Sequence, residues 1–113
     1  MTSLVTTLQC LTGVAFIGYG VSCLLSPGLV AEFERFGLAR FRILTGWLEV
    51  AGGAGLLLGL RWPALGLVAA LGLAVLMGLG VWTRIRTGDS IPKTLPAIAF
   101  LAINAALALY GVG

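Results

Sequence analysis

The stretch Ile43-Leu44-Thr45-Gly46-Trp47-Leu48-Glu49-Val50-Ala51-Gly52-Gly53-Ala54-Gly55-Leu56-Leu57-Leu58-Gly59-Leu60 is almost wholly apolar and holds a single charge, Glu49. As a helix rising 1.5 Å per residue it reaches about 27 Å, close to the roughly 30 Å of a bilayer's hydrocarbon core. A core helix of a soluble domain would carry a polar face; here Thr45 and Glu49 are the only polar side chains. The glycines fit a membrane helix, where small residues let backbones approach closely.

Three further stretches, 4–25, 63–83 and 95–112, are long and apolar enough to do the same. With 43–60 they predict an all-α fold, a four-transmembrane-helix bundle in a single domain over residues 1–113. The whole chain agrees: of 113 residues 59% are hydrophobic and 10% charged, and the mean hydropathy is +1.09. Soluble domains carry about a quarter charged residues, so that class is excluded. The first segment has no Lys or Arg before its apolar run, so it is expected to remain as a span and not to be cleaved as a signal peptide.

Local chemistry sets the boundaries. Ser26-Pro27 stops the first span, Arg61-Trp62-Pro63 turns tightly into the third, and Pro92 and Pro96 bracket the start of the fourth. Between the first two spans, 27–37 predicts an interfacial helix, with Ser26 as N-cap, Pro27 at the first helical position and Gly37 as terminator. Leu29, Phe33 and Phe36 fall on one face of it, able to dip inward, while Glu32, Glu34 and Arg35 point elsewhere.

The net charge of +3 suggests no nucleic acid, because the seven cations form no basic run and lie between apolar segments. They are orientation signals. Arg35, Arg40 and Arg42 sit in the first connection and Arg84, Arg86 and Lys93 in the third, against Arg61 alone in the second. The positive-inside rule then puts loops one and three in the cytoplasm and both termini in the periplasm, with a bacterial inner membrane as the expected home. Trp62, Tyr110 and Trp82 fall near the interfaces, as belt residues do.

A carboxylate at Glu49 costs about 2.5–3.5 kcal/mol on insertion scales unless it is paired, hydrated or protonated. On a helical wheel it shares a face with Thr45, Gly46, Gly52 and Gly53, with Trp47 opposite; the small face should pack inward and Trp47 meet lipid. By helical rise it lies about 9 Å inside the start of its span, level with Tyr19 on the first helix, its expected hydrogen-bond partner. Asn104 is nearer the midplane, and Gln9 and Thr12 lie further out, so these residues could line one polar seam. Two roles are open for Glu49: a carboxyl that fixes helix registry, or a protonatable centre serving as general acid, proton carrier or cation site. Tyr19 and Asn104 would orient a ligand in the second case and bond between helices in the first.

No other chemistry is visible. The chain has no histidine, which excludes histidine-ligated haem, histidine-type zinc and histidine acid–base catalysis. No metal site is expected. Cys10 and Cys23 are about 20 Å apart on one helix, too far to bridge, and read as small core residues. The rows Ala51, Gly55, Gly59 and Gly66, Ala70, Ala74, Gly78 read as packing seams between the second and third spans or with another subunit.

The segment from Leu44 to Leu58, with its Gly46-x-x-Glu49-x-x-Gly52 core and leucine-rich end, resembles the DoxX-like family of small four-span membrane proteins. Thr83-Arg84-Ile85-Arg86-Thr87-Gly88-Asp89 followed by Leu95-Pro96-Ala97 resembles its basic loop and proline-led last helix. Many relatives carry a lysine after the glycine-rich end of the first helix; Gly20-Val21-Ser22-Cys23-Leu24 has none, so no Lys–Glu49 pair is available. The resemblance implies membership of quinone-linked thiosulfate oxidation, membrane redox partnership or receptor assembly. The leading expectation is therefore a noncatalytic subunit or assembly partner of a membrane complex, with a membrane-protein partner or a second copy of itself. The alternatives are a proton-coupled carrier or channel using Glu49, and a membrane enzyme acting on a lipid, quinone or isoprenoid with Glu49 as general acid–base. The residues identify no cofactor; a quinone or other apolar ligand is the class this leaves open.

Overall fold

The structure, a computed structural model, describes residues 2–110, the side chains of Thr2 and Tyr110 excepted. Its helices are α1 (Thr2–Leu25), α2 (Pro27–Arg35), α3 (Arg42–Leu58), α4 (Pro63–Thr87) and α5 (Ile91–Tyr110), with one 3-10 turn at Ala39–Phe41. There is no strand among the described residues. Four apolar stretches, Ser3–Leu25, Ala39–Leu58, Pro63–Thr87 and Ile91–Leu109, are each long enough to cross a bilayer, and the molecule is 40 Å long, the thickness of a bilayer with its headgroups. This is an integral membrane protein. The expected belt position of the Tyr110 side chain and the end of the fourth span, 111–112, fall outside the described residues.

Ser26 is extended as an N-cap should be, but its hydroxyl makes no cap bond; Pro27, whose missing N–H costs nothing at a first turn, starts α2. Gly37 stops it at φ +74°. There Leu38 N–H donates to the Phe33 carbonyl and Gly37 N–H to that of Glu34, the paired closure that a left-handed glycine permits. Gly88, at φ +84°, ends α4 the same way, with Asp89 N–H donating to Arg84 and Gly88 N–H to Ile85. The third span therefore runs one turn past the expected 83, because Arg84-Ile85-Arg86 continues the helix until the glycine. The fourth begins at Ile91 and not at 95: Pro92 lies in its first turn, where no backbone donor is needed, and Pro96 lies inside the helix, where it leaves the Pro92 carbonyl without its helical bond. The second stops at Leu58, since Gly59-Leu60-Arg61 already forms the turn.

In the bundle α3 lies against α1 and α4, and α5 against α4. The most extensive packing is between α1 and α3, where Gly13 and Gly20 face Gly53 and Gly46; a Cβ on Gly20 would stand 2.6 Å from the Gly46 carbonyl oxygen. Part of the expected α3–α4 seam is also present: Gly55 meets Ala69 and Gly59 meets the Gly66 backbone. Ala51 and Gly78 lie outside it, Ala51 exposed and Gly78 with no neighbour that an added Cβ would touch. Arg42 Nη1 donates to the Cys23 and Leu24 carbonyls at 2.7 and 3.1 Å, capping α1 with the start of α3. The core is Phe16, Leu56, Ala70, Leu73 and Leu107.

Candidate functional site

α1 and α3 converge at their glycines, and α4 and α5 pair beside them. Between these pairs, at the end of the bundle carrying α2 and the basic loops, lies a cavity of about 590 Å³. That is within the range of small-molecule sites. Its floor is aromatic: Phe16 and Phe100 meet edge-on at 5.1 Å, and Tyr19 packs on Phe100 at 5.8 Å. By helical rise, Phe16 and Phe100 lie about 13 Å in from the end of α1 and the start of α5. The roof is the apolar face of α2, where Leu29, Phe33 and Phe36 point inward as their spacing predicts, continued by Leu38 and Phe41.

Glu49 stands in the wall, 7% exposed. Its wheel position holds: Gly46 and Gly53 are buried beside it, and Trp47 is 60% exposed on the opposite side. Its hydrogen-bond partner differs from the expected one. Cys23 Sγ lies 3.6 Å from Glu49 Oε2, a weak thiol-to-carboxylate contact, whereas Tyr19 lines the same cavity but turns its ring edge-on to Phe100. Thr45, one turn before Glu49, also faces the space.

Asn104 does not join this site. It is fully buried, its Nδ2 donates to the Phe100 carbonyl of its own helix at 2.8 Å, and its Oδ1 has no partner among the described residues. Gln9, whose Nε2 donates to the Leu56 carbonyl at 2.7 Å, and Thr12 are buried at similar depth beyond the aromatic floor. The expected polar seam is thus two separate levels, with Phe16 and Phe100 between them. Cys23 was readable only as a core residue; its signal was the Phe16, Tyr19, Cys23 spacing, which puts all three on one face.

At the mouth stand Arg84, Arg86 and Lys93. Asp89, placed by the Gly88 turn and only 3% exposed in its side chain, ties the roof to the α4–α5 loop. Arg35 of α2 donates to its Oδ1 and Oδ2 at 2.7 and 3.1 Å, and Arg84 to Oδ2 at 2.9 Å. These two guanidinium groups, Arg35 foremost, hold the Asp89 carboxyl down at about 2, below its ordinary 3.8. The same bonds and Glu32 raise Arg35 above the ordinary guanidinium value. Phe36 lies between the two arginines, with Cζ of Arg35 and Arg84 at 4.8 and 5.3 Å from its ring centre, and its carbonyl accepts from Arg86 Nη2 at 3.1 Å.

A family model of the DoxX-like family matches residues 7–107. The chain belongs to the DoxX-like family. No curated protein and no solved structure matches it. Within this DoxX-like protein the matched region contains every residue of the cavity, from Phe16 to Phe100.

Proposed function

We propose that this DoxX-like protein is a noncatalytic ligand-binding subunit of a membrane complex, holding an apolar-tailed molecule in the cavity beneath α2 with Glu49 as its polar anchor. One observation carries this: the cavity reaches a carboxyl otherwise sealed in the bundle. A group needed only for helix registry is expected to pack dry against its neighbours. The interior also suits a quinone, with Phe33 and Phe36 against its ring and Glu49 facing a carbonyl; a bound quinone would supply two-electron, two-proton redox chemistry. The enzyme alternative is weaker because Glu49 is the only acidic residue among the described residues lining the space. The carrier alternative is weaker because Leu56, Leu73 and Leu107 fill the bundle beyond the Phe16–Phe100 floor.

The test uses Cys23 as a reporter in a Cys10→Ala background, reading its alkylation by N-phenylmaleimide in nanodiscs. Ubiquinone-1 or dodecyl phosphate should slow the reaction saturably. Glu49→Leu should weaken protection by ubiquinone-1 about tenfold, and Glu49→Gln, which still hydrogen-bonds, by much less. If neither compound protects, the cavity is not the site; if ubiquinone-1 protects Glu49→Leu as well as it does the parent, Glu49 is not the anchor. A protein isolated alone in mild detergent and active by itself would count against the subunit role.

The charge of the loops supports a mouth on the cytoplasmic side of a bacterial inner membrane, with both termini periplasmic. A reporter fused after Gly113 should read as noncytoplasmic; a cytoplasmic signal would reverse the orientation.

A further inference from the structure

The charges at the mouth do not cancel. Arg35, Arg84, Glu32 and Asp89 form one closed group of two cations and two anions. Arg86 gives one bond to a carbonyl, and neither it nor Lys93 has a carboxylate partner among the described residues. The positive-inside rule accounts for which side of the membrane they occupy. It does not require them to border an apolar cavity, as both do. They stand on different helices, Arg86 in the last turn of α4 and Lys93 in the first of α5, so the Gly88-Asp89 turn brings two unneutralised cations to one opening. A neutral ligand would leave both without a counter-charge.

We propose that the ligand is an anionic amphiphile, a single hydrocarbon chain bearing a phosphate or carboxylate head, with the head on Arg86 and Lys93 and the chain running down toward Phe16 and Phe100. This rests on the cavity being a ligand site and adds the chemical class it selects. The membrane's cytoplasmic leaflet is the source, since the mouth lies at headgroup level and the roof helix is amphipathic. Glu49, deep in the wall, sets the length of tail that fits or bonds a polar group within it. Each cation near an anionic headgroup contributes on the order of 1 kcal/mol, so the pair should favour the charged head about 10- to 30-fold over a neutral one.

Photolabelling separates the outcomes. The protein in phosphatidylcholine nanodiscs is labelled with a diazirine-bearing palmitic acid, and the labelled peptides are mapped, with dodecyl phosphate, dodecanol, ubiquinone-1 and inorganic phosphate as competitors. Labelling is expected near Phe16, Met77 and Phe100, displaced by dodecyl phosphate at least 10-fold more readily than by dodecanol or ubiquinone-1, and unaffected by inorganic phosphate. In Arg86→Gln/Lys93→Gln that preference should vanish while cavity labelling persists. Equal displacement by phosphate and alcohol, or stronger displacement by ubiquinone-1, overturns the anionic class and leaves the cavity as a ligand site. Labelling confined to lipid-facing residues overturns both.

Discussion

Gly53→Leu abolishes the folded bundle, and Gly53→Ala lowers its stability by about 1–3 kcal/mol, the cost of overpacking a filled interior. A Cβ on Gly53 would stand 2.5 Å from the Gly13 carbonyl oxygen and 2.9 Å from the Ile17 backbone nitrogen. Both are backbone atoms of α1, so no rotamer change makes room and the two helices must separate. Separation disturbs the neighbouring Gly20–Gly46 contact and the Arg42 cap on α1 together, because all three lie along one interface. Gly72→Ala is the control. It lies in the interior of α4 with no atom within 4 Å of the added carbon, so alanine should be neutral or stabilising by up to about 1 kcal/mol. The midpoint of unfolding in mixed dodecyl maltoside and dodecyl sulfate micelles measures both. An unchanged midpoint for Gly53→Ala would mean that the α1–α3 contact is not as close as described.

Asp89→Asn loosens the roof. The carboxylate holds Arg35 on α2 and Arg84 on α4 at once, and the amide that replaces it has one acceptor and no charge. α2 has no buried residue of its own, so little besides its aromatic face and this cluster holds it down. The rate of Cys23 alkylation, again in a Cys10→Ala background, should rise about three- to tenfold, as expected for two ion pairs lost at a surface. A rate equal to the parent's would show that α2 is held by its phenyl rings alone. The pH dependence follows from the lowered value at Asp89. A carboxyl at about 2 in the folded protein and 3.8 ordinarily stabilises fully above about pH 4, and this is lost as pH falls toward 2. The difference in melting temperature between parent and Asp89→Asn should therefore be present at pH 5 and reduced to a small fraction at pH 2.

Helical periodicity made much of the site legible in advance. The inward face of Glu49 followed from Gly46 and Gly53 on one side and Trp47 on the other, and the roof from the spacing of Leu29, Phe33 and Phe36. Periodicity does not say which helices meet or at what height. Tyr19 was expected to bond Glu49 because the two are level along the bundle axis, but equal depth fixes only one coordinate. The rotation of α1 that presents Cys23 to the carboxyl depends on how Gly13 and Gly20 seat against α3. Asn104 was drawn into the same seam for a similar reason and lies beyond Phe16 and Phe100. The small-residue rows point to a seam between α3 and α4 or with another subunit, whereas the most extensive contact uses glycines seven apart on α1 and α3, a pairing invisible until both helices are placed.

Glu49 remains the centre of the molecule. The sequence alone determined that it lies in a membrane helix, that its face turns inward, and that an amphipathic helix with dipping phenyl rings covers the basic end. Those are local properties, set by hydropathy, periodicity and turn chemistry within a few residues. Only the tertiary structure decided that the carboxyl opens into a cavity, that Cys23 is its neighbour, and that Arg86 and Lys93 stand at the mouth with no carboxylate partner among the described residues while Asp89 claims Arg35 and Arg84. Those facts depend on where separate helices come to rest, which glycine contacts and two left-handed turns set across distances no single segment encodes.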